Sequence, residues 1–492
     1  METGHMMAQG RVLLMVTSFV TLTWLGISAT PLDDYVNTPD PHYTYTLLSR
    51  VEGPNYSLHI LNMTSQKWLT EQVTQKPIWW HYVSIIIPKQ IVYTDTAFMW
   101  IDGGSNTDHV PTESDEFING ITAFSVFTGA VAATIKQIPN QPTVFMDDPA
   151  MKRRVEDSII AWTWKEFLAN GSNPEILLRL PMTKAVVRGF DTLANYSKIV
   201  AGININKFVV GGASKRGWTT WTTTAVDKRV VGMVPVVMDL LNTQKNLHHH
   251  FRSLGGWTFA FGDYYVENIT QNLDSPNMPK MLGVIDPLTY KDRYTMPKMI
   301  VSSSGDEFFL PDDSHYYYDQ LTGPKFLRVT PNAEHSVAGH FMSTVLAMQA
   351  FFLNIVEKVP FPTITWVLSQ NDTAGRILVT CSIPPREVTV FHAKTLDGKR
   401  RDFRLAIADP NNPGKFLIHP VIWLNKPATQ LTPLQFEGVI AKPSDGWAAF
   451  FLQMKFNGFK GSTLEFTTEV NIVPDVFPFA DCSGDSCHGS LV

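Results

Sequence analysis

The stretch KFVVGGASKRGWTTWTTTAVDKR, Lys207 to Arg229, decides how the rest of the chain is read. A short apolar run, Phe208 to Val210, reaches two glycines, and a single serine, Ser214, follows between small and basic residues. Neither proline nor glycine occurs between Trp218 and Arg229, which leaves that segment free to be a helix. Strand, tight glycine turn, serine and helix is the layout that holds a nucleophilic hydroxyl out at the carboxyl edge of a sheet. Gly212 leaves room for close backbone approach, and Lys215 offers its backbone N–H to an oxyanion. The usual pattern is Gly-x-Ser-x-Gly. Here Arg216 holds the last position, with Gly217 one step late. A Gly-Ala-Ser tripeptide is also a common plain turn, so the assignment depends on partners elsewhere.

The partners follow in a consistent order. Pro297 to Ser304, PKMIVSSS, reads as a buried strand that runs into Gly305-Asp306-Glu307. A second short strand, Lys325 to Thr330, leads into Pro331-Asn332-Ala333-Glu334-His335. Each candidate lies just past the carboxyl end of a strand, where open α/β sheets place their ligand site. Ser214, then Asp306, then His335 is the order of the α/β-hydrolases. Glu307, Asp312 and Asp313 compete for the acid, but Asp306 directly ends its strand. Asp312 and Asp313 lie beyond Pro311, where they are expected to cap the following helix. His340 falls inside a helical pattern that begins near Gly339, so His335 is preferred as the base. The plain alternative is three turn residues on a catalytically dead scaffold.

Four strings carry a family resemblance: GGASKRGWTTW, VIDPLTYKDRYTMPK, SGDEFFLPDDS and LRVTPNAEHS. They resemble the PhoPQ-activated pathogenicity-related protein family, which has bacterial members and a secreted eukaryotic autocrine proliferation repressor. The resemblance spans roughly residues 43–470 and is densest over 162–339. It implies an α/β-hydrolase core with the triad on Ser214, Asp306 and His335. It also makes Ser214-Lys215-Arg216-Gly217 a family string rather than a defect. It implies no substrate, and association with extracellular signalling leaves two functions open.

At 492 residues the chain has room for two domains. A net charge of −5 without Lys/Arg blocks argues against nucleic acid or anionic membrane as partners. The run Lys399-Arg400-Arg401 reads as a solvated hairpin tip. Arg11 followed by an apolar stretch from Val12 to Leu25 and by small residues Gly26, Ser28 and Ala29 reads as a signal peptide over residues 1–29. An uncleaved signal anchor is its rival; no later stretch suits a transmembrane anchor. Sequons at Asn55, Asn62, Asn170, Asn195, Asn268 and Asn371 agree with secretion and predict glycosylated surface loops. Cys482 and Cys487 sit in a short polar tail and can close a small disulfide in an oxidising compartment, whereas Cys381 reads as a buried free thiol.

Residues 43–100 break and alternate like a strand meander, and Ala97 to Asp102 is a further strand ending in Gly103-Gly104-Ser105. The loop at this position donates the second oxyanion N–H in an α/β-hydrolase, so Gly104 or Ser105 is expected to supply it. From Thr122 onward helices alternate with strands, the signature of a mostly parallel, helix-covered sheet. Residues 242–297 form an insertion of the kind that builds a lid. Trp257, Phe259, Tyr264 and Tyr265 in it are candidate pocket residues. His248, His249 and His250 are consecutive and cannot easily aim at one ion, so neither a metal nor any other cofactor is expected. From Pro362 to Ile472 seven β-like runs without helical period predict an all-β sandwich. The expected organisation is therefore a signal at 1–29, a hydrolase domain at 30–360, a β-sandwich-like domain at 361–475 and a polar tail at 476–492. Function is expected to be that of a secreted serine hydrolase acting on a small ester or a peptide. The alternative is a non-catalytic secreted signalling protein that presents the scaffold to a cell-surface receptor.

Overall fold

The computed structural model describes residue 1, residues 29–412 and residues 414–492, so the expected signal segment lies outside the described residues except at its two ends. Nine strands form the part of the large sheet that carries the site: β1 (Thr44–Glu52), β2 (Tyr56–Lys67), β3 (Ile78–Pro88), β4 (Tyr93–Ile101), β5 (Ala130–Ile135), β6 (Lys207–Ala213), β7 (Val230–Val236), β8 (Lys298–Ser303) and β9 (Lys325–Thr330). Their order is β1-β2-β3-β5-β4-β6-β7-β8-β9. Pairing is antiparallel up to β5 and parallel from β5 through β9. Parallel strands need crossovers, and here helices supply them: α1 (Pro31–Asn37) precedes the meander, then come α2 (Glu116–Thr128), α3 (Asp157–Asn170), α4 (Arg179–Ala201) and α5 (Lys215–Val226).

Both faces of the parallel part are covered, so its strands are apolar on both sides. The period of two in β6 sends Phe208 and Val210 to the core under α4 and α5, and Val209 to the core under α2 and the helix Phe341–Val356. Phe190 of α4 stacks on Phe208 with centroids 4.1 Å apart, and Phe124 of α2 stacks on Phe98 at 4.4 Å. This packing fixes where the carboxyl ends of β6, β8 and β9 lie, all at one edge of the sheet.

The C-terminal part is a separate antiparallel β region. Ile364–Gln370, Ala374–Cys381, Gln435–Ala441 and Thr429–Thr432 form their own four-stranded sheet. Glu387–Lys394, Ala448–Asn457 and Thr463–Thr467 extend the large sheet beyond β9, joined to it through Thr467 opposite Leu327. Ile377 and Val379 share a core with Phe450 and with the helix Phe341–Val356, so the two regions are packed through apolar side chains. Two expected strands shrink to Ala406–Ala408 and Phe416–Ile418. Just before them Arg401 and Arg404 turn inward, to Asp312 and Asp402. Arg401 is 2 % exposed, which corrects the reading of Lys399-Arg400-Arg401 as a solvated tip.

Among the described residues no helix is long and apolar enough to cross a membrane. Asn55, Asn170, Asn195, Asn268 and Asn371 are exposed. Asn62 departs from the expected surface loop: it lies mid-strand in β2, paired on both sides, with Oδ1 buried and unpartnered. Cys482 and Cys487 are joined with Cα atoms 4.9 Å apart, and Cys381 is a buried free thiol.

Candidate active site

Ser214 sits between β6 and α5 at φ 56°, ψ −125°, a region that side-chain-bearing residues rarely occupy. Its N–H donates to the Val236 carbonyl of β7 at 2.8 Å, which pins the turn against the neighbouring strand. The two glycines around it are needed for closeness. A Cβ on Gly212 would lie 2.8 Å from the Arg216 carbonyl oxygen, and one on Gly217 would lie 2.8 Å from the Val236 carbonyl oxygen. The small residue that the general motif places two after the serine is here required one position later, where α5 crosses β7. Arg216 at the motif position is free to carry a long side chain, which turns to Ile138 and Glu156.

Arg216 and Lys215 brace the turn. Arg216 Nε donates to the Ile138 carbonyl at 2.6 Å and Nη2 to Glu156 Oε1 at 2.6 Å. Lys215 Nζ pairs with Glu156 Oε2 at 2.9 Å and Asp157 Oδ2 at 3.2 Å. Burial alone would raise the Glu156 pKa, but Arg216 and Lys215 hold it well below the usual carboxylate range. Sequence reading singled out none of Glu156, Asp157 or Arg179. They lie far from Ser214 in the chain, and their patterns are those of ordinary helix starts.

His335 and Asp306 complete a line of hydrogen bonds. His335 Nε2 is 2.7 Å from Ser214 Oγ, and Nδ1 is 2.9 Å from both oxygens of Asp306. A carboxylate only accepts, so Nδ1 carries the hydrogen and Nε2 is left to accept from the serine hydroxyl. Asp306, 3 % exposed, also accepts from the N–H groups of Phe308 and Phe309 at 2.7 and 3.2 Å. Burial opposes a charged His335, yet Asp306 and then Glu307 raise its pKa above 6.5. Glu307 Oε2 accepts the His335 N–H at 3.0 Å and so holds the loop rather than the ring. His340 precedes the helix Phe341–Val356 as its N-terminal flanking residue.

The C-terminal region grips the loops that carry Asp306 and His335. Asn332, at φ 57°, accepts from the Trp423 N–H at 2.7 Å and donates to its carbonyl at 2.9 Å. Leu405 N–H donates to the Gly305 carbonyl at 2.9 Å. These contacts cross long sequence separations and had no local signal.

Asp312 and Asp313 do not cap a helix. Asp312 makes no side-chain cap bond; it is buried against Arg401 and lies 3.2 Å from His249 Nε2. Arg401 and His249 drive its pKa far below the carboxylate range against the effect of burial. Asp313 Oδ2 accepts the Leu310 N–H at 3.0 Å. Burial, then Asp312, pushes the Asp313 pKa upward.

Lys215 is the first residue of α5, so its N–H lacks an intrahelical acceptor and lies at the positive end of the helix dipole. Of the two residues expected to supply a second oxyanion N–H, Ser105 donates its N–H to Asp108 Oδ2 at 2.7 Å, and Gly104 lies at φ 125°. A cavity opens beside Ser214, enclosing about 630 Å³ including its mouth. Trp164, Trp218, Trp257, Phe261, Tyr264 and Phe308 supply its aromatic wall, with aliphatic residues such as Leu247 beside them. Trp257 and Tyr264 were expected there; Phe259 and Tyr265 are not among the lining residues. The disulfide-closed tail backs this wall: Trp257 Nε1 donates to the Cys487 carbonyl at 2.9 Å, and its N–H to that of Ser490 at 2.8 Å. His248 neighbours Cys482 and Cys487, whose sulfurs are bonded to each other and so are not thiolate ligands.

The profile of the PhoPQ-activated pathogenicity-related protein family matches residues 32–404. "Autocrine proliferation repressor protein A" of Dictyostelium discoideum is 40% identical over 496 residues, covering 97% of each chain. Among solved structures, an acetyl xylan esterase from Paenibacillus sp. R4 aligns over 62% of this chain and 86% of its own at 14% identity, with a TM-score of 0.44. An S-formylglutathione hydrolase from Agrobacterium tumefaciens aligns over 64% of this chain and 100% of its own at 12% identity, with a TM-score of 0.40.

Proposed function

The chain belongs to the PhoPQ-activated pathogenicity-related protein family, and on that premise we propose that it is a serine hydrolase that cleaves esters. One observation carries the reading: Asp306, His335 and the strained Ser214 form an unbroken hydrogen-bonded line at the mouth of an apolar cavity. Ser214 Oγ attacks the ester carbonyl carbon while His335 Nε2 takes its proton. The resulting oxyanion is held by the Lys215 N–H, with Gly104 as second donor. His335 returns the proton to the departing alcohol oxygen, leaving an acyl-serine. Water then attacks the acyl carbon by the same route and frees the acid. Asp306 holds the tautomer and stabilises the imidazolium throughout. The protein acts outside the cell, with a cleaved signal at 1–29 and glycans on the exposed sequons.

The test is covalent labelling. A fluorophosphonate probe is expected to label the secreted, folded protein, with the label lost in Ser214→Ala. Folded protein that resists labelling would sink the hydrolase reading. It would favour the second one, suggested by the name of the 40%-identical relative: a secreted repressor of proliferation that uses this fold as a scaffold.

A pH profile follows from His335. The base works only as neutral imidazole, and its pKa is raised, so activity is lost as pH falls through a value above 6.5. The acid limb of kcat/KM is expected to sit above that of an ordinary histidine. It should move down in Glu307→Gln, since Glu307 adds to the rise. An acid limb below 6.5 in the wild type would contradict the assignment.

A further inference from the structure

Arg179 is a buried cation in the wall of the cavity, and none of the chemistry above uses it. It opens α4, is 2 % exposed and lies over Trp218 with its guanidinium carbon 4.2 Å from the ring centroid. Nη1 donates to the Lys215 carbonyl at 2.9 Å, one residue from the nucleophile, while Nε is buried without a partner. The ionisable groups lining the cavity are Asp157, Arg179 and Lys215. Lys215 takes up Asp157 and shares Glu156 with Arg216. Tyr264 adds a neutral hydroxyl, which donates to Asp157 at 3.0 Å. Among the described residues, then, both nearby carboxylates are committed to other cations and Arg179 forms no ion pair. Burial lowers its pKa only to about 10, so it stays charged near neutral pH. An unpaired buried guanidinium is costly, and a ligand of opposite charge in the cavity would offset that cost. The planar fork of arginine matches a carboxylate.

We propose that Arg179 recognises a carboxylate on the part of the substrate that enters this cavity, so that acidic esters are hydrolysed in preference to neutral ones of the same shape. The inference rests on the hydrolase reading above and names its substrate class. The apolar wall holds the carbon chain, and Arg179 sets which chain is accepted. It is a specificity residue and takes no part in bond making.

Two near-isosteric pairs test it. Mono(4-nitrophenyl) glutarate is compared with its methyl diester, which places the acid on the acyl side. 3-Acetoxybenzoate is compared with its methyl ester, which places it on the leaving group. In at least one pair the wild-type protein is expected to show kcat/KM at least tenfold higher for the acid. The advantage should vanish in Arg179→Met through a rise in KM and be partly kept in Arg179→Lys. The wild-type ratios stand whether or not the variants fold, and melting curves check the variants. Neutral esters turned over as well as acidic ones in both pairs would overturn the carboxylate proposal and leave the hydrolase reading intact. An acid preference that persisted in folded Arg179→Met would likewise overturn it. No turnover together with no fluorophosphonate label would bring down both.

Discussion

Ser214→Ala is expected to lower turnover by about 10⁶-fold, because no other group in the line can form the acyl intermediate. Its stability should stay within about 1 kcal/mol of the wild type. The lost bond is the 2.7 Å contact to His335, and alanine inherits the same backbone conformation. That conformation, φ 56° and ψ −125°, is where the strain resides. Ser214→Gly should therefore lose activity equally and gain on the order of 1–3 kcal/mol from relief of the strain. Single-turnover kinetics and thermal melts of the three proteins check both statements. Residual turnover above a thousandth of the wild type in Ser214→Ala would take the nucleophile's role away from this residue.

The second large effect separates two aspartates six residues apart in one loop. Asp306→Asn is expected to cut turnover about 10⁴-fold with little change in melting. The amide would offer an N–H where the imidazole N–H must be accepted, and the ring would turn to the wrong tautomer. Asp312→Asn should do the reverse. Among the described residues it leaves buried Arg401 with only the Asp475 carboxylate, 3.7 Å away, and removes the nearer of the two carboxylates facing His249. Breaking a buried pair on one side costs about 3–5 kcal/mol. A cap residue would have cost about 1 kcal/mol. Turnover per folded molecule and melting temperature, measured on both variants, distinguish the roles. An active Asp306→Asn beside an inactive but stable Asp312→Asn would move the acid to the later position.

What the sequence alone determined was whatever is encoded over a few residues. The run Phe208 to Val210, the glycines around Ser214 and the uninterrupted segment after Gly217 each constrain the backbone locally, so strand, turn and helix were legible from them. The same holds for β8 running into Asp306 and β9 running into the loop of His335. Because parallel strands end at one edge, their order in the chain was enough to place these three residues together. Tertiary structure alone decided what surrounds them. Asp312 and Asp313 look like caps beside a proline, and only the arrival of Arg401 from the C-terminal region makes Asp312 a buried, paired charge. Glu156 and Arg179 look like ordinary helix starts until α3 and α4 bring them to the Lys215 turn. The Ser105 N–H looks free until Asp108 takes it. A hydrogen bond or ion pair depends on where two distant segments meet, and a change of a few ångströms makes or abolishes it. Local preference sets the elements, whereas long-range packing sets the partners of every buried charge.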